Sequence, residues 1–172
     1  MPRNGVQPRG ETCGKVYYDP HVADLNDPCL ACEIVAGRVV PPGGVLARWP
    51  DFVLHGVAMA SPVAGWVVLT PTRHARSFAD LTDAEAAHLG VLAVAVQRAQ
   101  RTSLGADHGY AAALGDLLHH VHLHLVPRYP TTPDRLRGAR AFLADPKDAR
   151  PEVEIDAACA ALARAVRDAT RS

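Results

Sequence analysis

The chain has 172 residues, with 18 basic and 18 acidic side chains, a formal net charge of zero and a hydrophobic fraction of 48%. That length is enough for one domain with a real core plus some tail. The balanced charge argues against nucleic acid or an anionic membrane as a partner, no apolar run approaches the ~20 residues of a membrane span, and four cysteines do not make a disulfide scaffold.

Residues 1–28 are rich in Pro, Gly, Asn and Asp and read as an extension without a core of its own. The first ten residues lack an apolar signal core, which points to a cytoplasmic location. A short helix is predicted from near Pro28, carrying Cys29 and Cys32 and ending at Gly37. Two strands follow, Val45 to Trp49 and Phe52 to Met59, joined through Pro50-Asp51. Trp66 to Thr70 reads as a near-continuous apolar strand stopped by Pro71. Thr82-Asp83-Ala84-Glu85 is a capping box, and the helix it opens runs to about Thr102 with Leu89, Leu92 and Val96 on its buried stripe. Tyr110 to Leu114 is a strand, Gly115-Asp116 a turn, and a histidine-bearing strand follows, ended by Pro127 and Pro130. Residues 131–152 are polar and irregular. A last helix over about Val153 to Ala169 has Ile155, Cys159, Leu162 and Val166 on one face. Three strands, a helix and two more strands predict an antiparallel α+β domain rather than a doubly wound parallel sheet. The organisation read from the sequence is an extension at 1–28, a core at 29–130, and an irregular segment with a terminal helix at 131–172.

The most informative stretch is His119-His120-Val121-His122-Leu123-His124-Leu125-Val126. On a strand, side chains alternate with period two, so His120, His122 and His124 project from one face at intervals of about 6.5–7 Å. Three imidazoles in a row can bind metal, relay protons or attack an electrophile. His119 is out of phase and reads as structural. Cys29-Leu30-Ala31-Cys32 has the spacing of a metal or redox pair. Cys13 has no partner pattern, and Cys159 falls on the apolar stripe of the last helix.

His120-Val121-His122-Leu123-His124-Leu125-Val126, followed by Pro127-Arg128, resembles the signature of the histidine triad (HIT) superfamily, His-φ-His-φ-His-φ-φ with φ apolar. Cys29 to Gly37 is similar to the opening helix of zinc-containing members, and Gly65 to His74 to the family's central strand with its Pro-x-x-His ending. The resemblance implies a five-stranded antiparallel sheet with packed helices, pairing through a two-fold axis into a homodimer over the helix from Thr82 and the Tyr110 strand edge. It implies structural zinc on Cys29, Cys32, His74 and His120. It also implies that His122 is the nucleophile on a nucleotide α-phosphate and that His124 contacts the phosphate. The activity implied is that of a nucleotide hydrolase or nucleotidyltransferase acting on dinucleoside polyphosphates or nucleoside phosphoramidates.

Three departures bear on this. Trp66 stands where many members have a histidine that supports the triad's hydrogen bonding. Gly115-Asp116-Leu117-Leu118 replaces a Gly-Gln-Ser/Thr segment that helps the leaving group, and Leu117 has no proton to donate. No acidic residue lies between His55 and Ser61 to bind ribose hydroxyls. Arg73, Asp116 and Arg128 are the candidate substrate-binding residues, with Arg135, Arg137 and Arg140 further on. Two other readings remain: a non-catalytic nucleotide-binding or scaffold protein, and a zinc hydrolase using the three histidines as metal ligands. The second leaves Cys29 and Cys32 without a role.

Overall fold

A computed structural model of the chain describes residues 29–169. The extension read at 1–28, with Cys13, lies outside the described residues. The elements in chain order are α1 (Leu30–Val35), β1 (Val45–Arg48), β2 (Phe52–Gly56), β3 (Val67–Pro71), α2 (Asp83–Leu104), β4 (His108–Ala112), β5 (Leu123–Arg128) and α3 (Glu152–Ala169). Short 3-10 turns fill the stretch between β5 and α3. The five strands form one antiparallel sheet in the order β1-β2-β3-β5-β4, the α+β architecture expected from the element order.

Strand alternation gives the sheet two faces of different character. Phe52, Leu54, Val67, Leu69 and Leu125 point to one face, where Leu89, Leu92 and Val96 of α2 and Ile155, Cys159, Leu162 and Val166 of α3 cover them. Both helical stripes are the ones their 3.6-residue periodicity indicates. Each fully buried Leu or Phe here contributes about 1.5–3 kcal/mol by leaving water. The opposite face carries His55, Val68, Thr70 and His124. In register, His55 lies opposite Val68 and Val68 opposite His124, so the two histidines flank a valine in one row across three strands. A second cluster of Val57, Val63, Trp66, Val126 and Ala141 covers part of this face, with Phe142 packed against it.

Local signals explain the boundaries of α2. Thr82 accepts from the Glu85 amide and Glu85 accepts from the Thr82 amide, the reciprocal capping box. Gly105 ends the helix at φ 74, a left-handed conformation that glycine adopts without a Cβ clash. Gln100 is buried in phase with Leu89, Leu92 and Val96, and its Nε2 donates to the carbonyls of Gly65 and Leu125 at 3.0 Å each. It thereby ties α2 to the residues adjoining Trp66 and His124.

Two expectations about the histidine strand are corrected. The ladder begins at Leu123, so only His124 of the trio lies within β5; His120 and His122 sit on the lead-in, which the Val121 amide anchors to the Ala75 carbonyl at 2.8 Å. Pro127 does not end the strand, which continues to Arg128. The β3 ladder stops at Val67 and Leu125, so at Pro127 the strand has one neighbour, β4, and an N–H toward the other side is dispensable. β4 spans His108–Ala112, earlier than the expected Tyr110 to Leu114. It is an outer strand of the sheet, and α2 exposes Val91 and Val94; these are the elements on which the sequence reading placed a two-fold contact. Among the described residues no helix is long and apolar enough to cross a membrane.

Candidate functional site

Four donors converge where α1, the loop after β3 and the β5 lead-in meet. One ligand atom each from Cys29, Cys32, His74 and His120 lies within 4.8 Å of the others. His120 Nδ1 is 3.5 Å from Cys29 Sγ and 3.4 Å from Cys32 Sγ, and His74 Nδ1 is 3.2 Å from Cys32 Sγ. Sulfur and nitrogen ligands at ~2.3 and ~2.05 Å from one tetrahedral ion stand about 3.6 Å apart, so the spacing fits zinc. The tautomer fits too. His120 Nε2 is 3.1 Å from the Pro71 carbonyl, which can only accept. Nε2 therefore carries the proton, and Nδ1 turns its lone pair toward the thiols, the outer support that metal-binding imidazoles use. Burial first, and then the Cys29 sulfur beside it, push the Cys32 thiol up to about 11. A cation bound here would take both thiols as thiolates and displace their protons.

His122 and His124 belong to a second site. Their rings are 5.1 Å apart and nearly perpendicular, at 86°. His122 Nδ1 is 2.6 Å from the His120 carbonyl. It is the donor, which leaves the Nε2 lone pair of the neutral ring free. His124 is held the opposite way: Trp66 Nε1–H donates to its Nδ1 at 3.0 Å. Neutral His124 therefore carries its proton on Nε2. Burial first, then the neighbouring imidazoles of His122 and His55, hold its pKa down at about 3. One ring thus offers a lone pair and the other an N–H. Trp66 supplies the support that its replacement of the usual histidine left open. Phe142 closes over both, its ring 4.8 Å from Trp66 and 5.5 Å from His124.

These two histidines line a cavity of about 350 Å³. Its floor is His55 and Thr70. His55 Nδ1 donates to the Gly56 carbonyl at 2.8 Å, and the Thr70 hydroxyl donates to His55 Nε2 at 3.0 Å. Burial keeps this imidazole neutral, with a pKa near 4. Ile34 of α1, Val57, Met59 and Phe142 form walls, and Asp116 and Leu117 stand at the exposed mouth. A second hollow of about 450 Å³, between α2, α3 and Trp49, holds His88, which is paired with Asp51 at 2.8 Å.

The structure brings the sequence-derived residues together unevenly. Cys29, Cys32, His74 and His120 form one cluster; His122, His124 and Asp116 line the cavity. Arg73 and Arg128 are not brought to the cavity. Arg73 pairs bidentately with Glu85, and Arg128 with Asp107 at 2.9 Å. Arg135 pairs with Asp148 and Arg137 with Asp134. Their surface carboxylates were nearby partners that spacing did not reveal. His120 turns to the cysteines rather than to His122 and His124, which counts against a three-histidine metal centre. His119 is exposed and Cys159 is buried in the core. Sequence reasoning missed Phe142, Gln100 and His55. Gln100 carried a signal, as a polar residue in phase with a buried stripe; Phe142 carried none.

Comparisons with known proteins agree with this geometry. Residues 51–131 match the HIT domain family. The fold aligns with a Zn-bound histidine triad family protein from Mycobacterium smegmatis at TM-score 0.65 and 21% identity, over 83% of this chain and 96% of that one. A hypothetical histidine triad nucleotide-binding protein from Sulfolobus tokodaii aligns at TM-score 0.66 and 14% identity, over 83% and 95%. The histidine triad protein blr8122 from Bradyrhizobium japonicum aligns at 0.59 and 24%, over 71% and 89%. A search of curated proteins finds no match. Over residues 51–131 the chain carries a HIT domain, and its fold is that of the histidine triad proteins it aligns with.

Buried neutral histidines make stability depend on pH. His55 and His124 have pKa values near 4 and 3 in the fold against an ordinary 6.5. Between those values the unfolded chain binds more protons, so stability is full above about 6.5 and is lost as pH falls toward 4. Thermal melts from pH 7.5 to 4.5 are expected to show that decline, with a shallower slope in His55→Gln. Equal slopes in the two proteins contradict the assignment.

Proposed function

We propose that the chain is a nucleotide hydrolase or nucleotidyltransferase in which His122 Nε2 attacks the phosphorus of a nucleotide α-phosphate. The observation that carries this reading is the pair of opposed hydrogen bonds, His122 Nδ1 to the His120 carbonyl and Trp66 Nε1–H to His124 Nδ1, which imply opposite neutral tautomers. The His122 Nδ1–H bond to the His120 carbonyl aims an unprotonated Nε2 into the cavity. That nitrogen forms a bond to phosphorus while the bond to the leaving group breaks. The charge gained by the imidazole is shared with the carbonyl that Nδ1–H faces. His124 Nε2–H, oriented by Trp66, donates to the phosphoryl oxygen on which charge builds. Water or another acceptor then attacks phosphorus and returns the electron pair to Nε2, so His122 acts twice. Asp116 at the mouth is the one candidate substrate-binding residue in reach; Arg73 and Arg128 are engaged elsewhere.

We further propose that Cys29, Cys32, His74 and His120 hold a structural zinc ion. Bound there, the ion supplies a cross-link between α1, the loop after β3 and the β5 lead-in. Support comes from the donor set and its spacing, and from the Zn-bound relative in M. smegmatis. Leu30, Ala31 and Ile34 on α1 line the cavity, so holding α1 in place also holds a wall of the reactive site. A binding protein without catalysis is the competing reading, and Leu117, with no proton to give, favours it.

His122→Ala is expected to keep its zinc and its melting temperature while losing turnover of a dinucleoside polyphosphate or nucleoside phosphoramidate by roughly 10⁴-fold or more. Wild-type protein quenched in mid-reaction should carry an acid-labile nucleotidyl group on His122. Turnover by His122→Ala at the wild-type rate excludes this nucleophile.

Metal analysis of the purified chain is expected to give one zinc. Cys29→Ser should lose it together with several kcal/mol of stability, because metal binding and folding are coupled. A metal-free wild type, or full metal content in Cys29→Ser, contradicts the zinc assignment.

A further inference from the structure

The walls and polar groups of the cavity narrow the substrate. Beyond the two Nε2 atoms, the floor is engaged internally: His55 and Thr70 bond to each other, and His55 also bonds to the Gly56 carbonyl. Among the described residues no arginine or lysine lines the cavity. A lone pair on His122 and an N–H on His124 suit one phosphoryl centre. Each additional phosphate adds a negative charge to a mostly apolar space without a cation, past the Asp116 carboxylate at its mouth; such burial is strongly unfavourable.

Ribose recognition is equally poorly provided for. Vicinal hydroxyls call for an acceptor such as a carboxylate. Gly56 closes β2 beside the floor, and a Cβ there would lie 1.8 Å from the Pro42 carbonyl oxygen, so no acidic side chain fits at that position. The surrounding walls are Ile34, Val57, Met59 and Phe142, with Leu114 and Leu117 held 52% and 59% exposed at the mouth. Large apolar side chains exposed around a concave site mark a surface for an apolar ligand. The 114–118 segment offers a departing group leucines and one carboxylate.

We propose that this site, acting through His122 as set out above, takes a singly charged phosphodiester. Its retained group is aromatic or apolar and is recognised by shape, and its leaving group departs as a stabilised anion. His122 Nε2 forms the P–N bond as the P–O bond breaks, and the electron pair leaves with the aryloxide. Water then attacks phosphorus, the P–N bond breaks back to Nε2, and the proton released from water balances the aryloxide.

The test uses the purified full-length chain and four probes. These are phenyl p-nitrophenyl phosphate, the p-nitrophenyl 5′-phosphodiesters of adenosine and of 2′,3′-dideoxyadenosine, and diadenosine tetraphosphate. The expected kcat/KM for the two adenosine esters agrees within about 3-fold, the phenyl ester is at least their equal, and diadenosine tetraphosphate falls about 100-fold or more below. Leu117→Ser, a substitution at an exposed position, is expected to raise cleavage of diphenyl phosphate, whose leaving group is poorer, by about 10-fold. A preference of about 10-fold or more for adenosine over dideoxyadenosine overturns the proposal. So does diadenosine tetraphosphate matching the simple esters, or no cleavage of any probe. If the ranking holds but His122→Ala cleaves phenyl p-nitrophenyl phosphate at the wild-type rate, the substrate class stands and the assignment of His122 fails.

Discussion

The hydrogen bond from His122 Nδ1 to the His120 carbonyl, 2.6 Å long, joins the two chemical halves of this molecule. The carbonyl belongs to the residue whose ring sits among Cys29, Cys32 and His74. The donor belongs to the ring that faces the cavity. Anything that fixes His120 therefore fixes the tautomer and direction of His122. His120 is held from both sides, by the sulfurs at Nδ1 and by the Pro71 carbonyl at Nε2. Val121 is pinned to Ala75, in the same loop that presents His74. A shift of one residue in the lead-in would exchange the faces of all these side chains, so register here is as chemically important as residue identity.

The sheet carries this arrangement because its two faces are buried differently. The helix face is apolar and covered by α2 and α3. The other face holds neutral polar groups that satisfy one another: His55 with Thr70 and Gly56, and His124 with Trp66. Buried imidazoles without such partners would be strongly destabilising. The same burial keeps His55 and His124 uncharged, which suits a site that needs an N–H on His124 rather than a cation. Gln100 ties α2 to the sheet, its side-chain amide donating to the carbonyls of Gly65 and Leu125.

Much of this was legible in the sequence because it rests on period and punctuation. The capping box at Thr82 and the stripes of α2 and α3 are local patterns with local causes. The α+β order followed from the elements in series, and the resemblance supplied the sheet. What escaped was non-local. Pro127 looked like a terminator, yet it falls where β5 has a neighbour on one side only. Arg73 and Arg128 looked available, yet Glu85 and Asp107, distant by 12 and 21 residues, engage them. Phe142, in a stretch without periodicity, completes the aromatic packing on Trp66 and His124. Trp66 was visible as a departure, but its donor role depends on how the indole meets a ring 58 residues away.

The central claim is that two neighbouring histidines are held in opposite neutral tautomers, one as nucleophile and one as donor. Nitrogen-15 NMR of the histidine side chains at neutral pH tests it directly. The account predicts that His122 carries its proton on Nδ1 and His124 on Nε2, and that Trp66→Phe disturbs the second without the first. The same tautomer in both rings, or a protonated His124 at neutral pH, would contradict it.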